Sequence, residues 1–101
     1  MNSTRILTAA AVGLLLIGPA AAAGPADAPA GALSCSGCHP NARSVDTTVP
    51  RLVGRDAAVI VTAMQAFRSG QTPATVMDRI SKGFTDDEIK AIAAWYGAQK
   101  D

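Results

Sequence analysis

The chain has 101 residues, of which 49% are hydrophobic and 17% are charged, with 9 Lys and Arg against 8 Asp and Glu. The formal net charge of +1 at pH 7 leaves no basic excess, so the composition excludes a nucleic-acid-binding role, which requires a basic surface. Two cysteines and one histidine are available for metal or redox chemistry, and all three lie within residues 35–39.

The first 23 residues have the composition of a secretory signal peptide. Arg5 supplies a positive charge, residues 6–17 form an apolar run, and Gly18-Pro19 end that run ahead of small residues. We therefore assign residues 1–23 to a signal peptide and expect the mature protein in the periplasm, with no membrane span after cleavage. An uncleaved membrane anchor is the alternative, but the run is shorter than the ~20 residues that span a bilayer.

Cleavage would leave a small and formally neutral domain. It leaves 78 residues (101 minus 23) and removes Arg5, so that 8 Lys and Arg balance 8 Asp and Glu. Residues 24–32 are rich in Ala, Pro and Gly and are typical of a linker or frayed N-terminus, which assigns the folded domain to residues 33–101. A hydrophobic core alone is barely sufficient at this size, so we expect a covalent staple.

Residues 35–39 have the sequence Cys-Ser-Gly-Cys-His, which is the C-x-x-C-H pattern of a c-type haem attachment site. Cys35 and Cys38 are spaced to form thioethers with the two vinyl groups of one porphyrin. His39 directly follows and would coordinate the iron. The sequence therefore predicts one covalent haem c, with His39 as a metal ligand.

Three other interpretations of this motif were weighed. A structural zinc site needs four protein ligands, and the chain has no third cysteine and no second histidine. A thioredoxin-like redox pair needs an adjacent βαβ pattern, and no strand-like alternation is present. A simple disulfide between Cys35 and Cys38 explains both thiols but gives His39 no role.

The remaining pattern predicts an all-α fold with short helices packed around the haem. A first helix is expected from Pro29 to about Cys38, with Leu33 on the same side as the cysteines and Pro40 ending it. Residues 41–54 form a loop that contains a proline turn at Pro50.

Two helices are expected in the middle of the chain. The first covers residues 55–69, with Asp56 as N-cap, Gly70 just beyond the end, and Met64 on the apolar face. The second covers residues 74–82, following a proline and ending at a glycine.

The last helix has the strongest signal, because residues 85–88 (Thr-Asp-Asp-Glu) form a capping box. Phe84 and Ile89 flank the box as a potential hydrophobic staple. Ile92, Ala93 and Tyr96 continue the apolar stripe by which this helix should dock, with Trp95 on its flank.

The second axial ligand is expected to be a methionine, since the chain has no second histidine. Met64 occupies a mid-helix core position, where a space-filling role is sufficient to explain it. Met77 lies between Pro73 and Gly83, which allow the backbone to approach the haem face opposite His39. We therefore favour Met77 and keep Met64 as the alternative.

With these positions in view, the chain resembles the small class I cytochromes c, and most closely the cytochrome subunit of flavocytochrome c sulfide dehydrogenase. The resemblance runs from about residue 33 to residue 99. It rests on the haem motif and on residues 49–55, 66–70 and 75–84.

The resemblance assigns roles to individual residues. It implies that Met77 is the distal ligand and that the carbonyl of Pro50 accepts a hydrogen bond from the free ring nitrogen of His39. We place Leu52, from the same turn, among the cofactor contacts. Asp78 departs from the family pattern, which has a small residue after the methionine.

A haem with two protein ligands has no open iron site for a substrate, so we expect single-electron transfer and no enzyme activity of the chain alone. The resemblance implies an FAD-containing sulfide dehydrogenase subunit as electron donor and a downstream electron acceptor. A free-standing periplasmic carrier is the alternative. A haem-based sensor would require Met77 to dissociate from the iron or not to bind.

Overall fold

The computed structural model describes residues 27–100, together with Gly13 and Gly18. The predicted signal peptide, apart from those two glycines, lies outside the described residues. The described part contains four α-helices and no strand: α1 (Ala32–Cys35), α2 (Ala57–Ser69), α3 (Met77–Ser81) and α4 (Asp86–Ala98). The predicted all-α fold is confirmed. None of these helices is long and apolar enough to cross a membrane.

The two long helices begin and end where their capping residues predict. The Asp56 side chain accepts a hydrogen bond from the backbone N–H of Ala58 at the start of α2. Gly70 closes the same helix in a left-handed conformation with φ 79°. At the start of α4, Thr85 and Glu88 exchange both hydrogen bonds of the capping box.

The two short helices cover fewer residues than the sequence indicated. Instead of extending to Cys38, α1 ends at Cys35, and residues 36–38 form turns. Instead of starting at Ala74, α3 starts at Met77. Thr75 and Val76 are β-branched and therefore disfavour an early helical start.

The core is built around one face of α4. Ile92, Ala93 and Tyr96 are buried together with Ala32 and Ile60. The Tyr96 hydroxyl donates to the carbonyl of Ala32 at 2.5 Å, and this bond joins α4 to α1. Ala32 is fully buried, although the domain bounds predicted from the sequence placed it at the end of the linker. The predicted docking stripe of α4 is confirmed.

The end of α4 also fixes the turn that precedes α2. The backbone N–H of Gly54 donates to the carbonyl of Tyr96 at 3.0 Å. A methyl group added at Gly97 would lie 2.9 Å from the carbonyl oxygen of Arg55. Gly97 therefore allows the two backbones to approach closely, and α4 holds the turn and the start of α2 in place.

Candidate haem-binding site

A cavity of about 760 Å³ lies between the helices and is lined by residues of all four. This volume is in the range of cavities that hold cofactor-sized ligands. Most of the larger lining side chains are apolar: Leu52, Ile60, Met64, Phe67, Ile80, Phe84, Ile89 and Ile92. The cavity can therefore accommodate a large apolar group and shield most of it from water.

The attachment motif forms part of the cavity lining. Cys35, Cys38 and His39 all line the cavity. The carbonyl of Cys35 accepts from the backbone N–H groups of Cys38 at 3.2 Å and of His39 at 2.9 Å, so the turn after α1 holds the three residues together. Burial raises the pKa of the Cys35 thiol, whereas Cys38 is exposed.

The His39 ring is oriented by the proline turn. Its Nδ1 lies 2.6 Å from the carbonyl oxygen of Pro50. A carbonyl oxygen can only accept, so Nδ1 donates in this bond, and in the neutral imidazole the lone pair then lies on Nε2. That is the tautomer required of a ligand that binds a metal through Nε2. Leu52, two residues further on, also lines the cavity.

Both candidate methionines reach the cavity. Met77, the first residue of α3, lines it, and so does Met64 from the middle of α2. Met64 packs against the buried core cluster, as expected for a space-filling hydrophobe. Met77 instead follows the irregular residues 73–76, which also border the cavity.

Arg55 is the one Asp, Glu, Lys or Arg side chain among the described residues that line the cavity. In the sequence, Arg55 stands out only as the last of residues 49–55, one of the stretches that carry the family resemblance. Arg55 directly follows Gly54, whose φ is 72°, and no pattern in the sequence marked it as a lining residue.

Two side chains singled out in the sequence, Leu33 and Asp78, lie outside the cavity lining. Leu33 is 53% exposed and does not line the cavity, so the prediction that it shares the side of the cysteines is wrong. Leu33 and Cys35 both lie within α1 and are two residues apart, and residues at that spacing do not share a helix face. Asp78 does not line the cavity either, but its Oδ1 is buried without a hydrogen-bond partner.

Comparison with known proteins places the chain in a family. The chain is 36% identical over 102 residues to the cytochrome subunit of sulfide dehydrogenase from Chlorobaculum tepidum, covering 96% of this chain and 93% of the relative. It is 30% identical over 71 residues to cytochrome c-554(548) from Halomonas halodenitrificans, covering 66% and 86%. The chain belongs to the c-type cytochromes.

A third relative of this cytochrome is a thiosulfate dehydrogenase electron acceptor from Thiomonas intermedia. It is 34% identical over 70 residues, which cover 65% of this chain and 32% of the relative. No protein-family model matches the chain. The predicted resemblance to the cytochrome subunit of sulfide dehydrogenase is confirmed, and so is the prediction of an electron-transfer cytochrome.

The donor set of the cavity fits the cofactor of this family. Two thiols and an imidazole with a free Nε2 lie in the lining, and a thioether is available from the same cavity. The walls are mainly apolar, as a porphyrin requires. The residues present therefore fit haem c.

Proposed function

We propose that this cytochrome carries one haem c, bound covalently through Cys35 and Cys38 and ligated by His39 and Met77. We further propose that it works in the periplasm and accepts electrons from an FAD-containing sulfide dehydrogenase subunit. The observation that carries the proposal is that one apolar cavity brings all four of these side chains together.

Each side chain has a distinct task in this proposal. Cys35 and Cys38 fix the cofactor to the chain after α1. The Pro50 carbonyl accepts from Nδ1 of His39, so that Nε2 would be available to the metal as a neutral donor. Haem iron with histidine and methionine ligands supplies a one-electron couple with a raised potential. Leu52 and Ile60 contribute apolar wall that excludes water.

The assignment of Met77 is tested against Met64. Ferric haem with a thioether ligand has a weak far-red charge-transfer band, which Met77→Ala should remove while lowering the reduction potential. Met64→Leu nearly conserves volume and should cost under ~1.5 kcal/mol of stability while leaving the band. Loss of the band in Met64→Leu and its retention in Met77→Ala would reverse the assignment.

The proposed donor is motivated by the name of the Chlorobaculum tepidum relative, which aligns along nearly the whole chain. A reduced flavin holds two electrons and one haem accepts one, so the cytochrome must pass electrons to its acceptor twice in each turnover. The isolated cytochrome should not oxidise sulfide at an appreciable rate. Addition of the flavoprotein should produce sulfide-dependent reduction of the haem.

Salt distinguishes a permanent subunit from a free carrier. Apolar contact is not screened, whereas a charge-steered encounter slows as the Debye length falls toward ~3 Å at 1 M ionic strength. The experiment is co-purification from the periplasm, followed by stopped-flow reduction at two ionic strengths. If the cytochrome elutes alone and its rate of reduction by every donor falls steeply with salt, it is a free carrier and not a permanent subunit. Carbon monoxide binding at the iron would instead indicate a sensor.

A further inference from the structure

The segment that carries Met77 is tied to the C-terminal turn of α2 at both of its ends. At its beginning, the backbone N–H of Thr72 donates to the carbonyl of Ala66 at 3.2 Å. At its end, the Arg68 guanidinium donates to the backbone carbonyls of Ser81 and Phe84. We call residues 72–84 the methionine segment.

The Arg68 side chain contacts three groups. Two are the carbonyl of Ser81, at 3.4 Å, and the carbonyl of Phe84. A third contact, 2.5 Å long, joins Arg68 to Asp86 in the first turn of α4. The Asp86 side chain is 62% exposed, so this ion pair contributes little by itself. The carbonyl bonds are made by an Arg68 side chain that is only 30% exposed, so they should contribute more to the restraint than the ion pair.

The methionine segment transmits this restraint to Met77. Ser81, the last residue of α3, is fully buried, and its hydroxyl donates to the carbonyl of Asp78 at 3.2 Å. The N–H of Ile80 donates to the carbonyl of Val76 at 3.0 Å. Met77 lies within this hydrogen-bonded turn, so a displacement of its backbone would disturb the end that Arg68 holds.

We propose that Arg68 is a positioning residue that holds the Met77 thioether at the haem iron. The inference rests on the proposed function, because it takes Met77 as the second axial ligand. Arg68 does not line the cavity, so it acts through the methionine segment. Its physical role is to keep small the fraction of molecules in which the thioether has left the iron.

That fraction can be measured by competition with an added ligand. Imidazole binds ferric iron only when Met77 is displaced, so its apparent dissociation constant equals the intrinsic value divided by the open fraction. Loosening the segment raises the open fraction and tightens imidazole binding by the same factor. A side chain that only stabilised the fold elsewhere would not change this competition.

The variants are chosen to separate positioning from charge and from general stability. Arg68→Met keeps an unbranched apolar stem and removes all three contacts, while Arg68→Lys keeps the charge and loses the forked geometry. Arg79→Gln removes an equal charge from an exposed site on α3 itself. Gly97→Ala introduces a methyl group 2.9 Å from the Arg55 carbonyl, away from the methionine segment.

The experiment is imidazole titration of the oxidised haem-loaded proteins at pH 7, followed in the visible spectrum together with the far-red band. Arg68→Met should bind imidazole at least about tenfold more tightly than wild type, equivalent to about 1.4 kcal/mol, and should lose part of the band. Arg68→Lys should bind imidazole with an affinity between those of Arg68→Met and wild type. Arg79→Gln and Gly97→Ala should remain within about twofold of wild type, even if Gly97→Ala melts at a lower temperature.

Contrary results fall into two distinguishable groups. If Met77→Ala removes the band and Arg68→Met binds imidazole within twofold of wild type, or no more tightly than Gly97→Ala, the positioning role is wrong and the ligation stands. If Arg68→Met does not fold, Arg68→Lys decides in the same way. If Met77→Ala retains the band, the ligation itself fails, and the role of Arg68 fails with it.

Discussion

Removal of the Tyr96 hydroxyl tests the link between the last helix and the helix that carries the haem motif. The hydroxyl donates to the Ala32 carbonyl at 2.5 Å, and the two residues are 2% and 0% exposed. Tyr96→Phe keeps the ring, including its edge-on contact with Trp95 at 4.9 Å between centroids. The substitution therefore removes one buried hydrogen bond and little packing.

The expected loss follows from the burial of the acceptor. Water does not reach the Ala32 carbonyl, so loss of its donor should cost about 1–3 kcal/mol. In a domain of this size, 1 kcal/mol corresponds to about 4–8 °C in melting temperature. A loss near ~2 kcal/mol should therefore lower the melting temperature by about 8–16 °C.

The pH dependence gives a second signature of the same bond. Burial raises the pKa of Tyr96, with a further contribution from the Cys35 thiolate in the chain without haem. A pKa raised on folding contributes stability below the unfolded value of about 10, and that stability is lost as pH rises through the folded value. The advantage of wild type over Tyr96→Phe should be constant up to about pH 10 and shrink above it.

The assay is thermal unfolding of the haem-loaded proteins, followed by far-ultraviolet circular dichroism from pH 7 to pH 11. The reasoning is wrong if Tyr96→Phe melts within 2–3 °C of wild type at pH 7, a range below the ~4 °C expected from a loss of only ~1 kcal/mol. It is also wrong if the difference between the two proteins does not narrow at high pH.

Two further predictions concern residues at the helix ends. Gly31 and Gly70 both have positive φ, 84° and 79°, so alanine at either should cost about 1–2 kcal/mol in strain. In urea unfolding, Gly31→Ala should lose more stability than Gly70→Ala. The added methyl group would lie 2.6 Å from Phe84 at Gly31 but meets open space at Gly70. Equal losses of stability would contradict this. Thr85→Ala should lower the free energy of unfolding by about 1 kcal/mol, because it removes the N-cap of α4. The far-red band should be unchanged. Loss of the band would show that the cap positions the methionine segment.

The parts of the fold that were predictable from sequence are those governed by local chemistry. Asp56, Gly70 and the box beginning at Thr85 act within a few residues of themselves, so they define α2 and α4 in any tertiary setting. The extents of α1 and α3 were not predictable in the same way. Helices this short depend on tertiary contacts rather than propensity.

The site shows the same division. The haem motif is contiguous, so its three side chains could be named from the sequence. The partners of Arg68 lie 13 to 18 residues away in the chain, and two of the three are backbone carbonyls. No residue pattern marks a carbonyl as an acceptor, so these contacts required the structure.

The intact mass of the protein exported with its haem maturation system tests the central claim most directly. We expect the mass of a polypeptide beginning near Gly24 plus that of one haem, because Cys35 and Cys38 would each form a thioether with the same cofactor. A mass equal to that of the bare polypeptide, with or without a disulfide between the two cysteines, would contradict the claim that this cytochrome transfers electrons through a covalent haem.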